Sequence, residues 1–205
     1  MNEEIARFLT TLTGPLTPIR EVAAKCLDAT AKFDKRSKAY LIGHRPQVAP
    51  EAYAVELYPG VDDAAMDRYC RIHSKIRFPV SIPESGRALL RVLNGARIFG
   101  GDLFGLPASM RRARPELDRS LRQSLDIATA NEIWRIRYKV DAQLFFIGSG
   151  SYTYEENAGY FLAPDGHVEV YLPKAKQVEA YSSIEEFLAA ELQRLEVNYS
   201  KRLAE

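Results

Sequence analysis

The chain has 205 residues, 46% of them hydrophobic, and its 28 Lys and Arg stand against 27 Asp and Glu for a net charge of +1. That length accommodates one domain of ordinary size plus an extension, or two small domains, with a substantial buried core. A balance this close to neutrality excludes bulk attraction to nucleic acid or to an anionic membrane, so any charged surface must be local.

The chain opens Met-Asn-Glu-Glu-Ile, acids where a secretory leader carries a basic region, and no segment approaches about eighteen uninterrupted apolar residues; a cytoplasmic protein with no membrane span is expected. Ile5, Phe8, Leu9 and Leu12 fall at helical spacing, Gly14-Pro15 interrupts, and Ile19, Val22, Ala23, Cys26, Leu27 and Phe33 continue the stripe on a second, longer helix. Gly43 to Pro50 reads as a loop, and Tyr53, Val55 and Leu57 alternate as an edge strand does. Pro59-Gly60, followed by Asp62 and Asp63, announces a helix whose face carries Ala65, Tyr69, Ile72 and Ile76. From Ile82 to Gly95 the spacing predicts one short helix, with Pro83 in its first turn and Asn94-Gly95 as its left-handed stop.

Two brief strands, Arg97 to Phe99 and Leu103 to Leu106, are expected around Gly100-Gly101-Asp102. Pro107 to Pro115 is basic and irregular, after which Leu117, Leu121, Leu125 and Ala128 return to helical spacing up to Trp134. Gln143 to Ile147 reads as a buried strand. Gly159 to Ala163 and His167 to Leu172 flank Pro164-Asp165-Gly166, whose residues suit a type I turn with a glycine bulge and predict a hairpin. Ser183-Ile-Glu-Glu186 is a capping box, and Phe187, Leu188, Leu192 and Leu195 line the closing helix. Helices bracketing hairpin-joined strands indicate an α+β fold with a largely antiparallel sheet. The expected organisation is a helical extension over 1–58, an α+β domain over 59–198 and a tail over 199–205.

Candidate chemistry is sparse. Cys26 and Cys70 read as buried thiols in a reducing compartment, with a disulfide as the alternative. Gly148-Ser149-Gly150-Ser151 lacks the Lys-Ser/Thr of a phosphate loop and the pattern of a nucleophile elbow. Cys70 and His73 lie three apart on one helix, but two ligands make no metal site, and a packed thiol beside a half-buried histidine is the simpler reading. Trp134, between Ile133 and Ile136, reads as core. Two segments suit partner binding: the arginines Arg111, Arg112 and Arg114, with Arg119 and Arg122 beyond, and the aromatic, acidic loop holding Tyr152, Tyr154, Glu155 and Glu156. Solvated surface is the alternative for both.

From about Asp62 to Glu196 the chain resembles the SUKH superfamily, which contains bacterial toxin-immunity proteins and a yeast cell-wall (glucan) synthesis regulator. The residues that carry the resemblance are Ile82-Pro83-Glu84 leading to Leu89-Leu90 and Asn94-Gly95; Leu125-Asp126-Ile127-Ala128 with Asn131; Phe146-Ile147-Gly148; Tyr160-Phe161-Leu162 with Asp165-Gly166 and Val168; and Ser183 with Phe187-Leu188. Gly86 departs from the family's larger residue, and the first sixty residues have no counterpart in it. The resemblance implies an α+β fold with a central twisted sheet of about six strands, no cofactor, no enzymatic activity and hence no catalytic residue; no metal site is expected from the residues themselves. It further implies a protein partner, a toxin domain in the immunity branch, or the alternative of an intracellular regulatory or scaffold protein of the cell-wall synthesis type.

Overall fold

A computed structural model describes residues 3–76, 81–107, 122–153, 156–174 and 176–204. Among them run six α-helices and nine strands: α1 (Glu3–Thr11), α2 (Thr17–Lys25), β1 (Lys32–Asp34), β2 (Ala39–His44), β3 (Tyr53–Pro59), α3 (Asp63–Ile76), α4 (Glu84–Val92), β4 (Leu93–Ile98), β5 (Gly101–Leu103), α5 (Ile127–Glu132), β6 (Phe145–Ser151), β7 (Asn157–Leu162), β8 (Val168–Leu172), β9 (Lys176–Tyr181) and α6 (Ile184–Ala204). The fold is α+β, as the sequence predicts, but the strands form one antiparallel sheet in the order β1 to β9, three more than the expected six.

Two of the strands not expected, β1 and β2, lie in the segment expected to be a helical extension, and the third is β9. Asp28 ends the second helix early: its carboxylate accepts from the Thr30 amide at 2.9 Å and hydroxyl at 2.6 Å, a local turn that competes with helix. Phe33, which continues the helical stripe in the sequence, therefore lies on β1. Residues 39–44, Ala-Tyr-Leu-Ile-Gly-His, form β2, buried on both sides, and β3 is an inner strand paired with β2 and β4 rather than an edge.

Two neighbouring rows cross all nine strands, and side chains of adjacent rows point to opposite faces. One row runs Phe33, Tyr40, Leu57, Ala96, Leu103, Gly148, Tyr160, Val170 and Glu179. It faces α1, α2 and α6, with Phe8 stacked on Tyr40 at 4.1 Å and Phe187 against Tyr160 at 4.9 Å. The next row, Lys32, Leu41, Glu56, Arg97, Asp102, Ser149, Gly159, Tyr171 and Gln177, carries charges at its centre and lies on the face that α5 covers. One hydrophobic core runs from Ile5 on α1 to Leu195 on α6, so the first 59 residues share it with the rest.

Two punctuation marks act differently from their sequence reading. Helix α4 ends at Val92, and Leu93 is already extended; Asn94 and Gly95 belong to β4. Gly95 has φ +87, and a Cβ there would lie 2.7 Å from the Leu103 carbonyl oxygen and 2.8 Å from the Ser124 Cβ. The turn between β4 and β5 is Phe99-Gly100, both at positive φ, one residue before the expected one. The Pro164-Asp165-Gly166 hairpin forms as predicted, Gly166 at φ +95 and the Ala163 amide donating to the His167 carbonyl at 2.9 Å. At α6 the Ser183 hydroxyl accepts from the Glu186 amide at 3.1 Å, while Glu186 reaches back to Ser182 rather than to Ser183. The helix continues to Ala204 through the segment expected as a tail, and the Tyr199 ring packs at a tilt on Phe99, 5.5 Å between centroids.

Candidate interaction surfaces

The expected contact residues Arg111, Arg112, Arg114, Tyr154 and Glu155 lie outside the described residues. Tyr152 and Glu156 bracket a tight loop between β6 and β7, closed by the Tyr152 amide donating to the Glu156 carbonyl at 2.8 Å. Glu156 is exposed, but Tyr152 is not a free aromatic. Its hydroxyl donates to Glu179 on β9 at 3.3 Å, and the Arg194 guanidinium of α6 lies over its ring at 4.7 Å. Arg194 also pairs with Glu191 and donates to the Ser151 carbonyl at 2.5 Å, which ties the last helix to the loop. Glu191, 3% exposed, receives the Tyr160 hydroxyl as well. Burial raises the Glu191 carboxyl above its usual range although Arg194 pulls it down, and burial raises the Tyr160 phenol, with the Glu191 charge adding to it.

The Gly148-Ser149-Gly150-Ser151 segment is strand, not loop. A Cβ on Gly148 would lie 2.5 Å from the Asp102 carbonyl oxygen and one on Gly150 2.0 Å from the Tyr160 hydroxyl, so close strand and ring packing accounts for these glycines.

On the opposite face a cleft of about 310 Å³ opens between Ser81, Pro83, Asn131, Glu132, Arg135 and the β6 approach from Ala142 to Phe145. Asn131 lines it while its amide completes the sheet edge: Nδ2 donates to the Phe146 carbonyl at 2.8 Å and Oδ1 accepts the Phe146 amide at 2.8 Å. Glu132 faces His73 of α3 across 3.6 Å, and His73, 3% exposed, packs on Tyr69. His73 thus meets a carboxylate and a ring. No group of three or more potential metal ligands occurs among the described residues, and Cys26 and Cys70 are free, half-buried thiols, each raised by burial.

Sequence reasoning missed the charges of the central row. Glu56, buried on β3, accepts from Arg122 and from Tyr58 at 3.1 Å, and Arg97 on β4 pairs with Asp102 on β5 at 3.0 Å. Arg122, counted from sequence with a basic patch, is committed to this pair. Burial raises the Asp102 carboxyl despite Arg97. Trp134 packs edge-on against Phe104 at 5.6 Å as expected of core, but Ile133 and Ile136 beside it are exposed. No described helix is long and apolar enough to cross a membrane. Compared with known proteins, the chain matches no family model, no curated protein and no solved structure.

Proposed function

We propose that this chain is a cytoplasmic, non-enzymatic protein-binding module of the SUKH type, and that it neutralises a cognate toxin domain by direct association. The observation that carries the reading is where the elements fall: α4 covers Glu84 to Leu90, α5 starts directly after Asp126, β6 holds Phe146-Ile147-Gly148, the β7–β8 hairpin turns on Asp165-Gly166, and α6 follows Ser183. These residues carry the resemblance, except that its Asn94-Gly95 lies in β4 instead of ending the helix. The use of the polar groups supports it further. Asp126 caps α5 by accepting from the Ala128 amide at 3.0 Å, Asn94 pairs with the Leu106 backbone after β5 and Asn131 with the β6 backbone, and Glu191 and Arg194 anchor α6, so these groups serve a rigid platform. Contacts are assigned to Tyr152 and Glu156 between β6 and β7 and to the Arg111, Arg112 and Arg114 stretch of the sequence, which lies outside the described residues.

Co-expression with the toxin domains encoded beside the gene tests the reading. The expected result is restored growth with one of them and a stoichiometric complex on purification. Absence of both protection and binding across all of them removes the immunity function.

A further inference from the structure

After α5 the chain makes a 3₁₀ turn, Trp134–Arg137, that leaves two large apolar side chains in solvent. Ile133 is 49% exposed and Ile136 69%. Residues three apart nearly eclipse in a 3₁₀ turn, so the pair shares one side while Trp134 packs inward on Phe104.

Cations surround the pair. Arg137, Lys139 and Lys174 are exposed, and the Lys174 amide donates to the Arg137 carbonyl at 2.9 Å, which sets the turn after β8 against the 3₁₀ turn. Arg135 spends a nitrogen on the Asp141 carbonyl at 2.5 Å, and Arg137 lies over the Tyr138 ring at 4.9 Å. Among the described residues none of these four cations forms an ion pair. The Asp141 carboxylate instead accepts from the Gln143 amide at 2.8 Å, and Glu132 faces His73. Lys139 and Lys174 also hold φ of +54 and +69, where Gly or Asn is less strained.

Exposed apolar anchors bordered by cations that form no ion pair among the described residues match the anatomy of an interface whose other side is acidic. Arg135 lines the 310 Å³ cleft as well, so the face includes a recess for a projecting side chain. We propose that this face docks an acidic protein surface, an apolar side chain of which sits on Ile133 and Ile136 while its carboxylates meet Arg135, Arg137, Lys139 and Lys174. The inference rests on the reading of the chain as a binding module.

The test is selection of random dodecapeptides displayed on phage against the immobilised full-length chain, followed by titration of the enriched peptides. Peptides rich in Asp and Glu with a large apolar residue are expected. Their affinity should fall about tenfold or more with Ile136→Asp and severalfold with Lys139→Glu or Lys174→Glu, and should weaken as salt rises. All three positions are exposed, so an unchanged thermal midpoint certifies that each variant folds. The proposal is overturned by no enrichment, by neutral or basic peptides, or by binding indifferent to all three substitutions. A dimer of the wild-type chain that Ile136→Asp dissolves also overturns it, in favour of a second copy as occupant. Toxin protection that survives the substitutions removes this surface but keeps the binding function; peptide binding without protection by any toxin domain keeps the surface and removes the immunity function.

Discussion

Asn94→Ala separates two accounts of the Asn94-Gly95 pair. As an exposed helix stop Asn94 would contribute a few tenths of a kcal/mol, because surface substitutions rarely exceed about 0.5 kcal/mol. In the structure it is 0% exposed, donates through Nδ2 to the Leu106 carbonyl at 2.9 Å and accepts the Leu106 amide at 2.8 Å. Alanine removes both bonds. The carbonyl keeps the Ser124 hydroxyl at 3.1 Å, but the Leu106 amide loses its partner in the interior, so the expected loss is about 2–4 kcal/mol. For a chain of this size that lowers the thermal midpoint by about 4–16 °C. Urea unfolding followed by circular dichroism measures it, with the slope of the transition checked for constancy. A loss below about 0.5 kcal/mol would refute the assignment of Asn94 as a surrogate strand partner.

Arg194→Met should cost about 3–5 kcal/mol by stranding the Glu191 carboxylate in the interior, and Glu191→Leu in the same chain should recover much of it; additive losses in the double-mutant cycle would contradict the coupling. Gly150→Ala and Gly166→Ala should differ in size because their causes differ. The first drives a Cβ to 2.0 Å from the Tyr160 hydroxyl and should cost more than about 2 kcal/mol, whereas the second meets no atom within 4 Å and should cost about 1 kcal/mol from its positive φ alone. Reversal of that order in urea melts refutes the packing argument. His167 lies between Glu169, at 2.8 Å, and Asp165, at 2.5 Å, and these hydrogen bonds raise its pKa above the ordinary histidine value. The raised folded-state value makes the stabilisation complete below the unfolded pKa and lost as pH rises through the folded one. Thermal midpoints of wild type should therefore fall relative to His167→Gln from about pH 6.5 upward, and parallel profiles would exclude the linkage.

The α+β class, α3, the β7–β8 hairpin and α6 were legible because each carries both a period and a local stop or cap that agree. Where period and punctuation disagree, period misleads. Phe33 extends the apolar stripe of α2, yet Asp28 and Thr30 close the helix before it, and an Asx turn of this kind is visible in the sequence as Asp-x-Thr. β2 was missed for a different reason. It is buried on both faces, with Tyr40 and Ile42 in the main core and Ala39 and Leu41 beside Tyr58, so it shows no alternation, and its last two residues, Gly43 and His44, fall in the segment that reads as a loop. With β2 in place β3 gains a second partner, and a strand that looks like an edge becomes an inner one. The count of nine strands follows from three additions to those read in the sequence: β1, taken for helix at Phe33, β2, and β9, whose exposed, polar sequence gives little apolar signal.

Contact chemistry was harder to read than fold because residue type does not report which partners a side chain has already taken. Tyr152 looks like a free aromatic in sequence and is held by Glu179 and Arg194; Arg122 looks like part of a basic patch and is held by Glu56. The reverse error occurs at Ile133 and Ile136, which resemble core in the sequence but lie in solvent beside a half-buried tryptophan. A change of helical period decides it: in an α-helix the three residues would spread over adjoining faces, whereas the 3₁₀ turn leaves Trp134 half-buried on Phe104 and turns both isoleucines outward. Asp126 is the local cause, since its cap starts α5 at Ile127 and leaves six residues of α-helix before the turn tightens at Trp134. Moving that cap would rotate the pair, so the exposure of Ile133 and Ile136 is set four elements of chain chemistry away from any partner: the Asp126 cap, the Tyr69 hydroxyl donated to it, the Asn131 amide on β6, and the Trp134 ring on Phe104.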